Sequence, residues 1–106
     1  MDNKNLSKTL DELVVAICRD YDRRKRIIEE RSAPRRVDTE LRYLNFISYA
    51  AAVSKVGEDF AELFIWEIGN RIGYAKSGVA DMSEVTYKKY KQQVKEAIAH
   101  ALHLTY

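Results

Sequence analysis

One proline and four glycines are all the strong helix breakers this chain has in 106 residues, and their positions divide it. Pro34 closes a first long stretch and Gly57 a second, while Gly69, Gly73 and Gly78 crowd together further on. Between them the chain is rich in Leu, Ile, Ala, Glu, Lys and Arg, which lose little on entering a helix. The length suits one domain with a single modest core. The expected fold is therefore all-α, a compact bundle of four helices spanning residues 1–106. The helices should run over about 6–31, 35–56, 58–73 and 83–103.

Each expected helix has an apolar side. In the first, Leu6, Leu10, Leu13, Ile17, Tyr21 and Ile28 recur at helical spacing, with Val14 on the flank. Arg24 and Arg31 fall on the same stripe, where their stems can cover the core edge while the guanidinium groups reach water, a carboxylate or a phosphate. Ser32-Ala33-Pro34 breaks this helix, and Pro34 suits the start of the next because its missing N–H is not needed there. The second helix is apolar around most of its circumference, as a central helix is, and Asn45 within it reads as a core amide tying helices together. In the third, Phe60, Ala61, Phe64, Ile65, Ile68 and Ile72 make the inner face. Leu63 and Trp66 fall away from it, either to pack under the first helix or to form an exposed patch for self-association or another protein. Ser83 is a good N-cap for the fourth helix, which turns Tyr87, Tyr90, Val94, Ala97, Ile98 and Ala101 inward. Its opposite side carries Val85, Lys88, Lys89, Gln92, Gln93, Lys95 and Glu96.

Charge and chemistry narrow the function classes. The net charge is +2, but residues 19–42 hold nine Arg or Lys against six acids, and residues 83–106 hold four Lys against two Glu. Residues 57–73 run the other way, with four acids against Arg71. Cys18 is the one cysteine, so no internal disulfide forms, and a buried structural thiol in a reducing cytoplasm is the simplest reading. No apolar run is long enough to span a membrane, and Met1-Asp2-Asn3-Lys4-Asn5 lacks the shape of a signal peptide. No catalytic set stands out and no cofactor is implied, so the chain does not read as an enzyme. His100 and His103 share the last helical turn without a third metal ligand nearby, and a helix C-terminus favours such residues anyway.

A basic helix after a loop is how a helix-turn-helix protein presents itself to double-stranded DNA. The last two helices fit that order as a variant with a long connection. In the first turns of the last helix, Glu84 would accept from a cytosine amino group and Val85 would meet a thymine methyl. Gln92 suits adenine, Lys88 and Lys89 suit guanine or phosphate, and Thr86 and Lys95 belong to the same surface. Arg71 and Lys76 near the turn, with Arg35 and Arg36 after the first helix, are candidate phosphate clamps.

The runs Ile68-Gly69-Asn70-Arg71-Ile72-Gly73-Tyr74, Ser83-Glu84-Val85-Thr86-Tyr87-Lys88-Lys89-Tyr90-Lys91 and Val94-Lys95-Glu96-Ala97-Ile98-Ala99-His100-Ala101-Leu102 resemble the ArpU-like transcriptional regulators of phages and mobile elements. Through them they resemble the DNA-binding region four of sigma factors. The resemblance implies a Ser-x-x-Thr-Tyr start opening the recognition helix and an Ile-Ala-x-x-Leu end closing it on the core. It implies a small DNA-binding regulator. The competing expectation is an interaction module of the same origin whose target is host polymerase or another host protein. A homodimer resting on Leu63, Trp66 and the long first helix is a further expectation.

Overall fold

The computed structural model describes residues 6–79 and 81–105, so the N-terminal segment weighed above as a signal peptide lies outside the described residues. The architecture is all-helical: α1 Lys8–Arg19, α2 Tyr21–Glu30, α3 Arg35–Val56, α4 Glu58–Gly69, a single 3-10 turn Tyr74–Lys76, and α5 Glu84–Ala101. The four-helix bundle is as expected, with its first helix interrupted at one residue. Among the described residues no helix is long and apolar enough to cross a membrane.

That interruption has a local cause. The Arg24 guanidinium folds back and donates to the Ile17 carbonyl at 2.9 Å, the acceptor that the Tyr21 N–H would take in an unbroken helix. Asp20 sits between the two segments, and its carboxylate accepts from both Arg23 and Arg24. With the helix broken, α1 packs on α4 and α5 while α2 packs mainly on α3. The two segments therefore need not share one face. The buried residues of α1 are Val14, Val15 and Cys18, whereas Leu13, expected inside, is exposed.

Arg24 is buried, at 3% exposure, and its third bond is a donation to Asn45 Oδ1 at 2.6 Å. Asn45 in turn donates to the Tyr21 carbonyl at 3.2 Å. The expected core amide thus fastens α3 to α2, and Arg24 takes the structural alternative. The core itself is built by Phe64, Ile65 and Ile68 of α4 with Val94, Ile98 and Ala99 of α5 and Val14 of α1. Ser48, Ala51 and Ala52, all small, line the inward side of α3 and permit close helix approach.

Three helices stop by turning one non-glycine residue left-handed. After α4, Arg71 takes φ 54°, its N–H reaching the Ile68 carbonyl and that of Ile72 the Glu67 carbonyl. Arg31 after α2 and His103 after α5 repeat the pattern. This is the Schellman closure, and it ends α4 at Gly69 rather than at the expected residue 73.

Candidate nucleic-acid interface

Fourteen residues, 70–83, connect α4 to α5, and a buried carboxylate organises them. Glu67, 1% exposed, accepts from the Tyr87 hydroxyl at 2.6 Å, the Ser77 hydroxyl at 2.7 Å and the Gly78 N–H at 2.7 Å. One side chain of α4 thus holds the middle of the loop and the first turn of α5 together. Burial and the bond to Glu67 push the Tyr87 phenol up to about 12. Around Tyr87 stand the Phe64 and Tyr74 rings, with centroids 5.6 and 5.7 Å away, and Tyr74 donates to the Met82 carbonyl at 2.8 Å. Lys91 lies 5.3 Å from the Tyr87 ring centroid and donates to the Ile72 carbonyl at 2.6 Å.

These fastenings fix the start of α5. Ser83 caps it, accepting from the Thr86 N–H at 3.2 Å and donating to the Thr86 hydroxyl at 3.0 Å. Thr86 is accordingly engaged in the cap. Val85 is 78% exposed, the most exposed of the large apolar residues described. Lys88 and Lys89 are exposed beside it, and Glu84 pairs with Lys88 at 2.8 Å. Lys76 rides on the 3-10 turn packed against α5, and Arg71 stands exposed at the corner where α4 ends. The structure therefore gathers Glu84, Val85, Lys88 and Lys89 on one helix start, with Lys76 on the turn beside them.

Other predicted site residues do not join this surface. Lys95 is half-buried and paired with Asp11 of α1 at 2.7 Å, so it binds two helices together instead of facing out. The reason is that α1 packs on α5 and brings Asp11 to Lys95, and Ala99, one turn further on, is buried. Gln92 is half-buried and donates to Glu96 at 3.2 Å. Arg35 and Arg36 are exposed at the start of α3, where the cleft is lined by Arg31, Ala33, Arg35, Asp38 and Arg42, none of them from α4, the loop or α5. Leu63 is half-buried under the loop, with Gly78 so near that a Cβ there would stand 3.7 Å from Leu63 Cδ1. It does not share an exposed patch with Trp66, which is 47% exposed.

Glu67 is the residue that sequence reasoning passed over. It follows Phe64 by three positions and directly precedes Ile68, and that spacing was the available signal for an acid turned inward. Cys18 is fully buried, and burial pushes its thiol up to about 12, which leaves it unreactive at neutral pH. Among the described residues no three His, Cys, Asp or Glu side chains gather to hold a metal ion. Comparison of the chain with protein-family models, with curated proteins and with solved structures finds no match in any of the three.

Proposed function

We propose that the chain is a small sequence-specific DNA-binding transcriptional regulator of phage or mobile-element type, which enters the major groove with the first two turns of α5. The observation that carries this reading is the division of α5 into two halves. Its second half packs against the bundle through buried Val94, Ile98 and Ala99, and Lys91 and Lys95 are spent on internal bonds. Its first half projects Val85, Lys88 and Lys89 outward. A recognition helix works in this way, reading base edges with its early residues while the rest is anchored.

The chemistry of the exposed set fits that task. Val85 is an apolar contact for a thymine methyl, and Lys88 and Lys89 reach guanine or phosphate. Glu84 neutralises part of Lys88, which restrains indiscriminate attraction to phosphate and leaves a carboxylate for cytosine. Lys76 and Arg71 are set to hold backbone phosphates, which fixes register without reading sequence. Arg35 and Arg36 are not needed for this contact. The resemblance to ArpU-like regulators points the same way.

Selection from a random duplex library, read by sequencing, tests the proposal. The expected result is enrichment of a core of about 4 to 6 base pairs that contains a thymine position dependent on Val85. A library that returns unenriched from low-salt selection would sink the reading.

A further inference from the structure

In the groove between α2 and α3 the charged side chains are paired, Lys25 with Glu62 and Arg42 with Asp38. The cleft between α3 and the second half of α5 is different. It encloses about 430 Å³, a size usual for small-molecule sites. Its floor is Ala51, Ala97 and Ala101, too short to fill the space between the two helices. Lys55 stands on the α3 side, with Gln93, Glu96 and His100 on the α5 side. Among the described residues, the side chains of Lys55, Gln93 and His100 make no hydrogen bond or ion pair. Glu96 accepts from the Gln92 amide at 3.2 Å and forms no ion pair with Lys55 or with His100, which follows it by one helical turn.

Opposite charges that line one cleft without meeting leave room for a molecule that carries both, and an alanine floor suits an apolar body. We propose that the cleft binds a free α-amino acid with an apolar side chain. Its carboxylate takes the Lys55 ammonium and the N–H donors of His100 and Gln93. Its ammonium takes the Glu96 carboxylate and Ser54 Oγ, whose own proton goes to the Ala51 carbonyl at 2.6 Å and leaves the oxygen free to accept. The negative ends of two helices favour that ammonium further, since α3 stops at Val56 and α5 at Ala101. The side chain lies on the three alanines, where its apolar surface leaves water. Val85, Lys88 and Lys89 do not line this cleft, so the site does not depend on what the start of α5 binds.

Titration calorimetry of the full chain without DNA, with leucine and phenylalanine as probes, tests it. A Kd of about 0.1 to 1 mM is expected for a ligand of this size in an open cleft. Glycine, 4-methylpentanoate and 3-methylbutylamine, which lack the side chain, the amine and the carboxylate in turn, should each bind at least tenfold more weakly than leucine. Lys55→Met and Glu96→Gln should each weaken leucine at least tenfold, and Glu96→Gln should not weaken 4-methylpentanoate, which has no ammonium to lose. Neither side chain is buried, so circular dichroism should show the fold intact. Amide shifts on adding leucine should cluster in residues 51–55 and 93–101 and spare residues 84–89. No heat and no shifts with either amino acid at about 10 mM overturns the proposal. So does 4-methylpentanoate binding as well as leucine, an unchanged affinity in both variants, or shifts confined to other residues.

Discussion

Gly69 has no side chain because there is no room for one. A Cβ there would stand 2.6 Å from both the Cα and N of Arg19, so α1 and α4 cross backbone to backbone. The crossing is latched by the Arg19 Nε–H, which donates to the Gly69 carbonyl at 2.9 Å. Gly69→Ala should therefore cost about 2 to 3 kcal/mol, because the obstruction is main chain and cannot swing aside. Thermal unfolding should show a midpoint lower by about 10 °C or more, and an unchanged midpoint would show that the helices can part freely. From sequence alone, Gly69 reads only as one of three clustered breakers, within a helix expected to reach residue 73. Its role as a crossing point depends on Arg19, fifty residues earlier, and no local pattern announces that. Arg24 and Asn45 are a different case. A cation and an amide on apolar stripes already ask for partners, and they find each other.

At the scale of elements, helix identity was legible and helix geometry was not. Apolar spacing gave the four helical stretches of the bundle but not the division of the first into α1 and α2, and Pro34, Gly57 and Ser83 gave three of the boundaries. The break at Asp20 was hidden because its cause is a guanidinium taking a backbone carbonyl in a stretch with good helix formers on both sides. The connection between α4 and α5 was legible as a loop, while its order comes from Glu67. Glu67→Ala should leave the Tyr87 and Ser77 hydroxyls and the Gly78 N–H without their acceptor, at a cost of about 3 kcal/mol. Urea unfolding should show the loss, and exchange of the Gly78 amide should quicken more than that of amides in α3. Equal quickening everywhere would mean that Glu67 does not organise the loop. The attachment of α2 has a pH signature. The Arg23 hydrogen bond chiefly holds the Asp20 carboxyl below its ordinary range, and the Lys25 hydrogen bond chiefly does so for Glu62, with Tyr21 adding to it. Their contribution is present above the ordinary carboxylate pKa of about 4 and is lost as pH falls through the lower folded values. Both groups are well solvated, so the two together should give about 1 kcal/mol. Urea unfolding at pH 7 and pH 3 should show a shallower acid loss in an Asp20→Asn, Glu62→Gln chain, and a wild-type slope in that variant would contradict the assignment.

For the whole molecule, the design is a bundle whose basic residues are unevenly committed. Arg19, Arg24, Lys25, Lys91 and Lys95 are tied to other helices or to the connecting loop, while Lys88 and Lys89 at the start of α5, with Arg71 and Lys76 in the loop before it, stay exposed. Periodicity could separate the inner and outer sides of α5. It could not show that α1 reaches the Lys95 flank of α5, because that depends on how the first helix is broken and where its halves go. The candidate surface consequently contracts from eleven residues along the chain to the first two turns of α5 and the loop beside them. The most direct test of that smaller surface is the salt dependence of duplex binding, by fluorescence anisotropy, for the wild-type chain and for Lys88→Ala with Lys89→Ala. Log affinity should fall linearly with log salt, and the double variant should bind more weakly with a slope shallower by about 2, roughly one for each phosphate no longer neutralised by a lysine. Equal slopes and affinities for the two chains, or no salt-dependent binding by the wild-type chain, would contradict the assignment of α5 as the DNA-binding element.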